Sequence, residues 1–202
     1  FTKFNSYRHQ VLSSYKNKIY QMPINLETIN SFYSKNLSPT QAENFIKIKC
    51  KKFLKESYKN FEEKAKSQIG QELYEAFFKN YTKKQWGKDP KVLPSSIFNR
   101  LPLRYNYDED YYKNPVLQGI PTGGYTEIFK KLTSNKNIEL IFNHEYNLNK
   151  NYDVRNSTIY TGPLDKLFDY KFGSLEWRSL KFKKKIINIK DSQGTSVINY
   201  PE

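Results

Sequence analysis

Seven residues, YTKKQWG from Tyr81 to Gly87, hold a phenol, a hydroxyl, an indole and two ammonium groups. Indole and phenol faces suit a planar base, and one stacked base is worth about 1–3 kcal/mol. Tyr81 and Trp86 are five residues apart, whereas a regular helix brings together partners three or four apart. A helix ending near Asn80 would let both rings fold toward one cleft. The same rings could instead fill an ordinary core, and the spacing alone leaves both readings open.

Arg100 and Arg104 offer paired donors for phosphate, since a guanidinium binds oxyanions in a bidentate way and stays charged. Tyr111 and Tyr112 bring phenols close by in sequence. The competing reading is two solvated arginines on an edge strand. Arg178, in EWRSL, is similar, with Glu176 as a local partner. The adjacent glycines of PTGGYT could cradle an oxyanion through backbone N–H groups, although such pairs also make plain turns. The chain contains no GxGxxG, no Walker A motif and no legible serine or cysteine triad. Asp89, Asp108, Glu109 and Asp110 sit where turn residues belong. Cys50 is the single cysteine, and His9 and His144 are far apart, so neither a disulfide nor a metal site is expected.

Net charge is +14, from 34 basic and 20 acidic residues among 202, which attracts an anionic partner. The lysines are spread throughout, however, as on solvated helix faces. Apolar residues are 37% of the chain, and 14 Phe and 17 Tyr supply bulk for packing. No apolar run reaches the roughly 20 residues of a membrane span, and no signal peptide pattern is present, so a cytoplasmic protein is expected. The chain opens on FTKFNSYRHQVL without an initiator methionine and stops after TSVINYPE. It reads as a piece of something longer. Two function classes fit. One is a nucleotide-sugar site, with aromatics for the base and arginines and tyrosines for a diphosphate. The other is a nucleic-acid-binding module, which calls for a concentrated basic stripe along an aromatic sheet; the dispersed lysines argue against it.

The elements that must position these residues are helical first and strand-rich later. VLSSYKNKIYQMPI predicts a hairpin between about Gln10 and Ile24, turning at YKNK. Asn25 can cap a helix running to about Lys35. Ser38, Pro39 and Gln41 form a start signal with a capping box for the next, which would place Phe45, Ile48 and Lys52 on one face. Asn60 and Glu63 repeat the capping logic. Ala65, Ile69, Leu73 and Phe77 then recur every fourth residue, flanked by Phe61 and Ala76, as the clearest helical face. Gly70 in that face predicts a break or a close contact. Leu101, Leu103, Tyr105 and Tyr107 alternate as in a strand. Thr126 can cap a helix carrying Ile128, Phe129 and Leu132. NIELIF, STIY, WRSLKFKKKIINIK and GTSVINY are expected to give strands. The fold class is therefore a mixed α/β (α+β) chain with no internal repeat.

FFKNYTKKQWGKDPKVLPSSIFNRLPLRYNYDEDYY resembles UDP-galactopyranose mutases. MPINLETINSFY, FEEKAKSQIGQELYEAF, GIPTGGYT, IYTGPLDKLFDY, LEWRSLKF and QGTSVINY continue the resemblance in order, over essentially the whole chain. It implies a flavoenzyme that interconverts UDP-galactopyranose and UDP-galactofuranose through a reduced-FAD N5–sugar adduct, without net redox change, for bacterial surface polysaccharides. It implies a helical domain inserted between segments of an antiparallel sheet domain, with a strand returning toward a Rossmann-like FAD domain absent from this chain. The boundaries are then a sheet hairpin over 1–25, a helical substrate domain with mobile loop over 26–97, sheet with one helix over 98–152, the returning strand over 153–170 and sheet over 171–202.

Carried over by resemblance, Tyr81 and Trp86 hold the uridine, and Phe77 packs on the uracil. Thr82 lies near the diphosphate, Arg100 is the mobile-loop clamp, and Tyr111 donates to the same group. Arg178 is a second phosphate-side arginine, Asn199 a polar contact near sugar and phosphates, and Gly162 a point close to FAD. Arg100 and Arg178 would be catalytic, by stabilising charge on the leaving diphosphate. The resemblance also implies a homodimer; a metal and a nucleic-acid partner are not expected. The glycine-rich FAD fingerprint is missing, so residues 1–202 alone are expected to be inactive.

Overall fold

A computed structural model describes residues 2–100, 103–112, 117–148, 150, 152 and 157–202, with the Arg100 side chain set aside. The chain divides into two compact units. One is Phe4–Ile120 with Phe182–Glu202, and the other is Phe1–Lys3 with Pro121–Lys181.

In the larger unit, β1 (Phe4–Ser6) pairs with β4 (Gly119–Pro121), and β2 (Val11–Tyr15) pairs antiparallel with β3 (Lys18–Met22). Lys16 and Asn17, both at positive φ, make the expected tight turn. β5 (Ile198–Asn199) joins the other edge of β2 in parallel, with Leu12 opposite Ile198 and Ser13 opposite Asn199. The expected all-antiparallel sheet is thus mixed.

α1 (Leu26–Tyr33) starts at Asn25, whose side chain accepts from the Thr28 N–H in a full capping box. α2 (Pro39–Cys50) starts as the sequence indicates, with Ser38 and Gln41 capping reciprocally. Its buried face differs from expectation. Ala42, Ile46 and Cys50, spaced by four, are buried, while Ile48 is exposed. α3 (Phe61–Leu73) is capped by the Asn60 side chain, but Glu63 reaches back to the Lys59 N–H rather than to Asn60. Its stripe of Phe61, Ala65, Ile69 and Leu73 is buried, and Ala76 and Phe77 extend it.

Gly70 breaks α3 with φ 78° and ψ 170°, a conformation open essentially to glycine alone. A Cβ there would also sit 3.3 Å from the Lys49 Cβ. After the break the helix widens into a π-helical stretch, Tyr74–Lys79, and continues as α4 (Asn80–Trp86), ending on Gly87 in the left-handed region. It does not stop near Asn80. Short 3₁₀ turns at Pro90–Val92 and Ser95–Arg100 fold back on this helix, with Phe98 set edge-on against Phe61 and Phe78.

Leu103–Tyr107 forms no strand, and Leu101 and Pro102 lie outside the described residues. The segment is tied down singly instead. The Arg104 N–H donates to the Ile24 carbonyl and the Leu26 N–H to the Asn106 carbonyl, both at 3.0 Å. Phe182–Lys190 is also irregular, and only Ile198–Asn199 of GTSVINY is strand.

In the smaller unit, α5 (Tyr125–Leu132) is preceded by Gly124, not capped by Thr126, which lies inside the helix. α6 is one turn, Leu164–Leu167. The described parts of NIELIF, STIY and WRSLK are not strands. An apolar stretch becomes a strand only where a neighbour takes its N–H and C=O groups, and these stretches instead expose Phe142, Ile159 and Trp177. Among the described residues, no helix is long and apolar enough to cross a membrane, and no group of three His, Cys, Asp or Glu could hold a metal ion.

Gly70→Ala is expected to destabilise the protein by about 1–3 kcal/mol, the usual cost of forcing a side chain into this backbone region. Urea unfolding measures it; an unchanged midpoint would show that the break is not needed.

Candidate functional site

The π-helical stretch and α4 present two side-chain rows, Phe77, Tyr81 and Gln85 on one and Phe78, Thr82 and Trp86 on the other. Both rows line a cavity of about 240 Å³ in the larger unit. Its opposite walls are Val11 and Ser13 of β2, Met22 at the end of β3 with Pro23 and Ile24 beyond it, Ile97 and Phe98, Leu103, Tyr111, and Asn199 of β5. The spacing of four within each row comes from a continuing helix, so Tyr81 and Trp86 share the cavity from neighbouring rows.

The lining is mostly apolar, with a few convergent polar groups from Ser13, Tyr81, Thr82, Gln85, Tyr111 and Asn199, the pattern of a small-molecule site. None of the described lining residues carries a formal charge. Such a wall can stack a neutral ring and hydrogen-bond its edges, and any phosphate it accepts must be neutralised from outside it. Burial raises the pKa of the Tyr81 phenol, and the neighbouring Tyr111 adds to the shift, so Tyr81 keeps its proton near neutral pH.

Thr82 and Phe77 are buried, while Tyr81 and Trp86 are about a third exposed. Phe77 belongs as much to the core as to the cavity, packing on Tyr20, Phe32 and Tyr15 with ring centres 5.2, 5.5 and 5.9 Å away. Tyr111 rests edge-on against His9 and Tyr112, at 5.2 and 5.4 Å. Asn199 is placed by β5, where the Leu12 N–H donates to Val197 and the Ser13 hydroxyl to the Asn199 carbonyl. From α4, the Lys84 ammonium donates to the carbonyls of Tyr200 and Glu202.

The structure therefore brings Phe77, Tyr81, Thr82, Trp86, Tyr111 and Asn199 to one cavity. It does not place the remaining candidates there. The Arg100 backbone ends a 3₁₀ turn and its side chain lies outside the described residues. Arg178 belongs to the smaller unit, where it pairs with Glu176 at 3.5 Å and donates to the Trp177 carbonyl. Arg104, which the sequence left open between a phosphate donor and a solvated arginine, is neither: its side chain is about 10% exposed and paired with Asp108 in its own loop.

A family model described as UDP-galactopyranose mutase matches residues 76–202. The chain is 40% identical over 200 residues to a probable UDP-galactopyranose mutase of Klebsiella pneumoniae, covering 99% of this chain and 51% of that one. It is 38% identical over 202 residues to a dTDP-fucopyranose mutase of Escherichia coli, covering 98% and 53%. The chain belongs to the UDP-galactopyranose mutase family. It spans about half the length of these two relatives. A UDP-galactopyranose mutase of Mycoplasma genitalium is 31% identical over 147 residues, 66% of this chain and 36% of that one.

At Gly162 a Cβ would run into the Tyr160 side chain, whose hydroxyl donates to the Pro163 carbonyl at 3.2 Å. The sequence did not single out Ser13 and Gln85, which line this cavity. Gln85 had a signal, its place four residues after Tyr81. Ser13 had none, because its contact with Asn199 spans 186 residues of sequence.

Lys84→Ala is expected to loosen β5 without unfolding the helices. Amide exchange should quicken at Leu12 and Asn199 and stay unchanged in α3. Equal protection of Leu12 in both proteins would show that Lys84 does not hold the strand.

Proposed function

We propose that the complete protein is a UDP-galactopyranose mutase, interconverting UDP-galactopyranose and UDP-galactofuranose, and that this chain supplies its uridine and diphosphate contacts. The supporting observation is the single cavity lined by Phe77, Tyr81, Thr82, Trp86, Tyr111 and Asn199. In this reading the base sits against the Tyr81 and Trp86 rings, with Phe77 behind them. The Thr82 and Tyr111 hydroxyls and the Asn199 amide face the sugar and phosphates. The cavity wall is uncharged, so neutralising the diphosphate falls to Arg100 and Arg178, whose guanidiniums would stabilise charge growing on the leaving group. Reduced FAD would supply the nucleophile for the anomeric carbon, and the organic chemistry is the cofactor's. This chain's share is binding, orientation and exclusion of water. A cytoplasmic location and a homodimer belong to the same proposal.

The 38% identity to a dTDP-fucopyranose mutase favours a second reading, in which the base is thymine and the sugar fucose. Titration of the complete protein with UDP and with dTDP separates the two, since the tighter ligand names the base. Trp86→Ala should weaken the preferred nucleotide roughly tenfold or more through lost stacking. Unchanged affinity would make Trp86 a packing residue and remove the base from this cavity. Residues 1–202 alone, given FAD, dithionite and UDP-galactopyranose, should yield no furanose product. Measurable product would mean that these residues hold flavin after all.

A further inference from the structure

Asp108–Tyr112 carries Tyr111 to the cavity without belonging to any helix or strand. Its carbonyls consequently have no ladder to enter. Asn25 Nδ2 donates to the Asp108 carbonyl at 3.4 Å, and one guanidinium reaches three of them. Arg104 Nη1 donates to the carbonyls of Asp108, at 3.3 Å, and Asp110, and Nη2 donates to the carbonyl of Tyr112 at 3.4 Å. The same guanidinium pairs with the Asp108 carboxylate at 3.2 Å. The bonds to residues 110 and 112 grip the backbone on both sides of Tyr111. Arg104 is itself anchored, its N–H donating to the Ile24 carbonyl. The ring contacts of Tyr111 are edge-on and hold its side chain but not its backbone, while the neighbouring carboxylates are held from other elements, Asp110 by Arg8 and Gln118 and Glu109 by Gln10.

We propose that Arg104 is a positioning residue, its guanidinium replacing a strand partner for residues 108–112 and thereby setting the Tyr111 hydroxyl at the cavity. A planar fork with five donors can span carbonyls on alternate residues. An ammonium is a compact point charge with no such fork, so lysine would keep the charge and lose the grip. The inference rests on the reading that Tyr111 donates to the diphosphate.

The test measures binding of UDP and of uridine, which lacks phosphates, to the complete protein. The variants are Arg104→Ala, Arg104→Lys, Tyr111→Phe and the two Arg104 changes combined with Tyr111→Phe. Arg104→Lys retains the charge and most of the stem, and carries the comparison if Arg104→Ala does not fold. Tyr111→Phe is expected to weaken UDP about tenfold, as for loss of a hydrogen bond to a charged group, and to leave uridine unchanged. Arg104→Lys and Arg104→Ala should do the same. In the Tyr111→Phe background neither should weaken UDP further, the non-additivity of residues acting through one another. If UDP and uridine weaken equally, or the Arg104 effect persists in full without the Tyr111 hydroxyl, Arg104 is merely structural and the proposal falls. If Tyr111→Phe binds UDP normally, the diphosphate reading of Tyr111 fails first and takes this inference with it.

Discussion

Burial of one aromatic face, where the widened helix after Gly70 meets the β2–β3 hairpin and α1, is the interaction on which the rest depends. Phe77 is enclosed by Tyr15, Tyr20 and Phe32, and Leu73 and Tyr74 beside it are fully buried. Each such side chain removed from water is worth about 1.5–3 kcal/mol. The Tyr74 hydroxyl donates to Glu62 at 2.9 Å, and Lys66 pairs with the same carboxylate at 2.8 Å. Burial works against the Glu62 charge, yet these two hydrogen bonds hold its pKa below the ordinary value. The Tyr74–Glu62 bond spans the Gly70 break and ties the two halves of the helix together. Tyr81, Thr82, Gln85 and Trp86 extend the same helix, so the packing of Phe77 on Tyr15, Tyr20 and Phe32 sets which of its side chains reach the cavity.

Cations in this protein act on the backbone more than its charge suggests. Arg104 and Lys84 spend their donors on carbonyls of segments that lack a full ladder. Lys49 pairs with Glu72 between α2 and α3, and Lys55, in the loop before α3, pairs with Glu63. What remains of the +14 charge still draws anions toward the molecule. The described residues of the cavity wall carry no formal charge.

Helix starts were legible because capping is local chemistry. Asn25, Ser38 and Asn60 each bond an N–H within three residues, and each starts a helix where its sequence indicates. The stripe from Phe61 to Phe77 was legible because burial repeats with the helix turn. The Gly70 break was also signalled, since a glycine within such a stripe has no propensity reason to be there. Strands fared worse. Leu103–Tyr107 alternates like a strand, but its partners are single bonds to Ile24 and Leu26, and alternation cannot say whether a neighbour is present. NIELIF and STIY failed for the same reason.

Local pattern by itself determined the hairpin turn at Lys16–Asn17, the caps of α1, α2 and α3, and the core face of α3. Tertiary structure alone decided that α4 continues past Asn80, that β5 runs parallel beside β2, and that Tyr111 and Asn199 meet Tyr81 and Trp86 at one cavity. The difference is one of range. Caps and turns are settled by bonds between residues a few positions apart, whereas the cavity exists only where segments more than a hundred residues apart bury one another's surfaces.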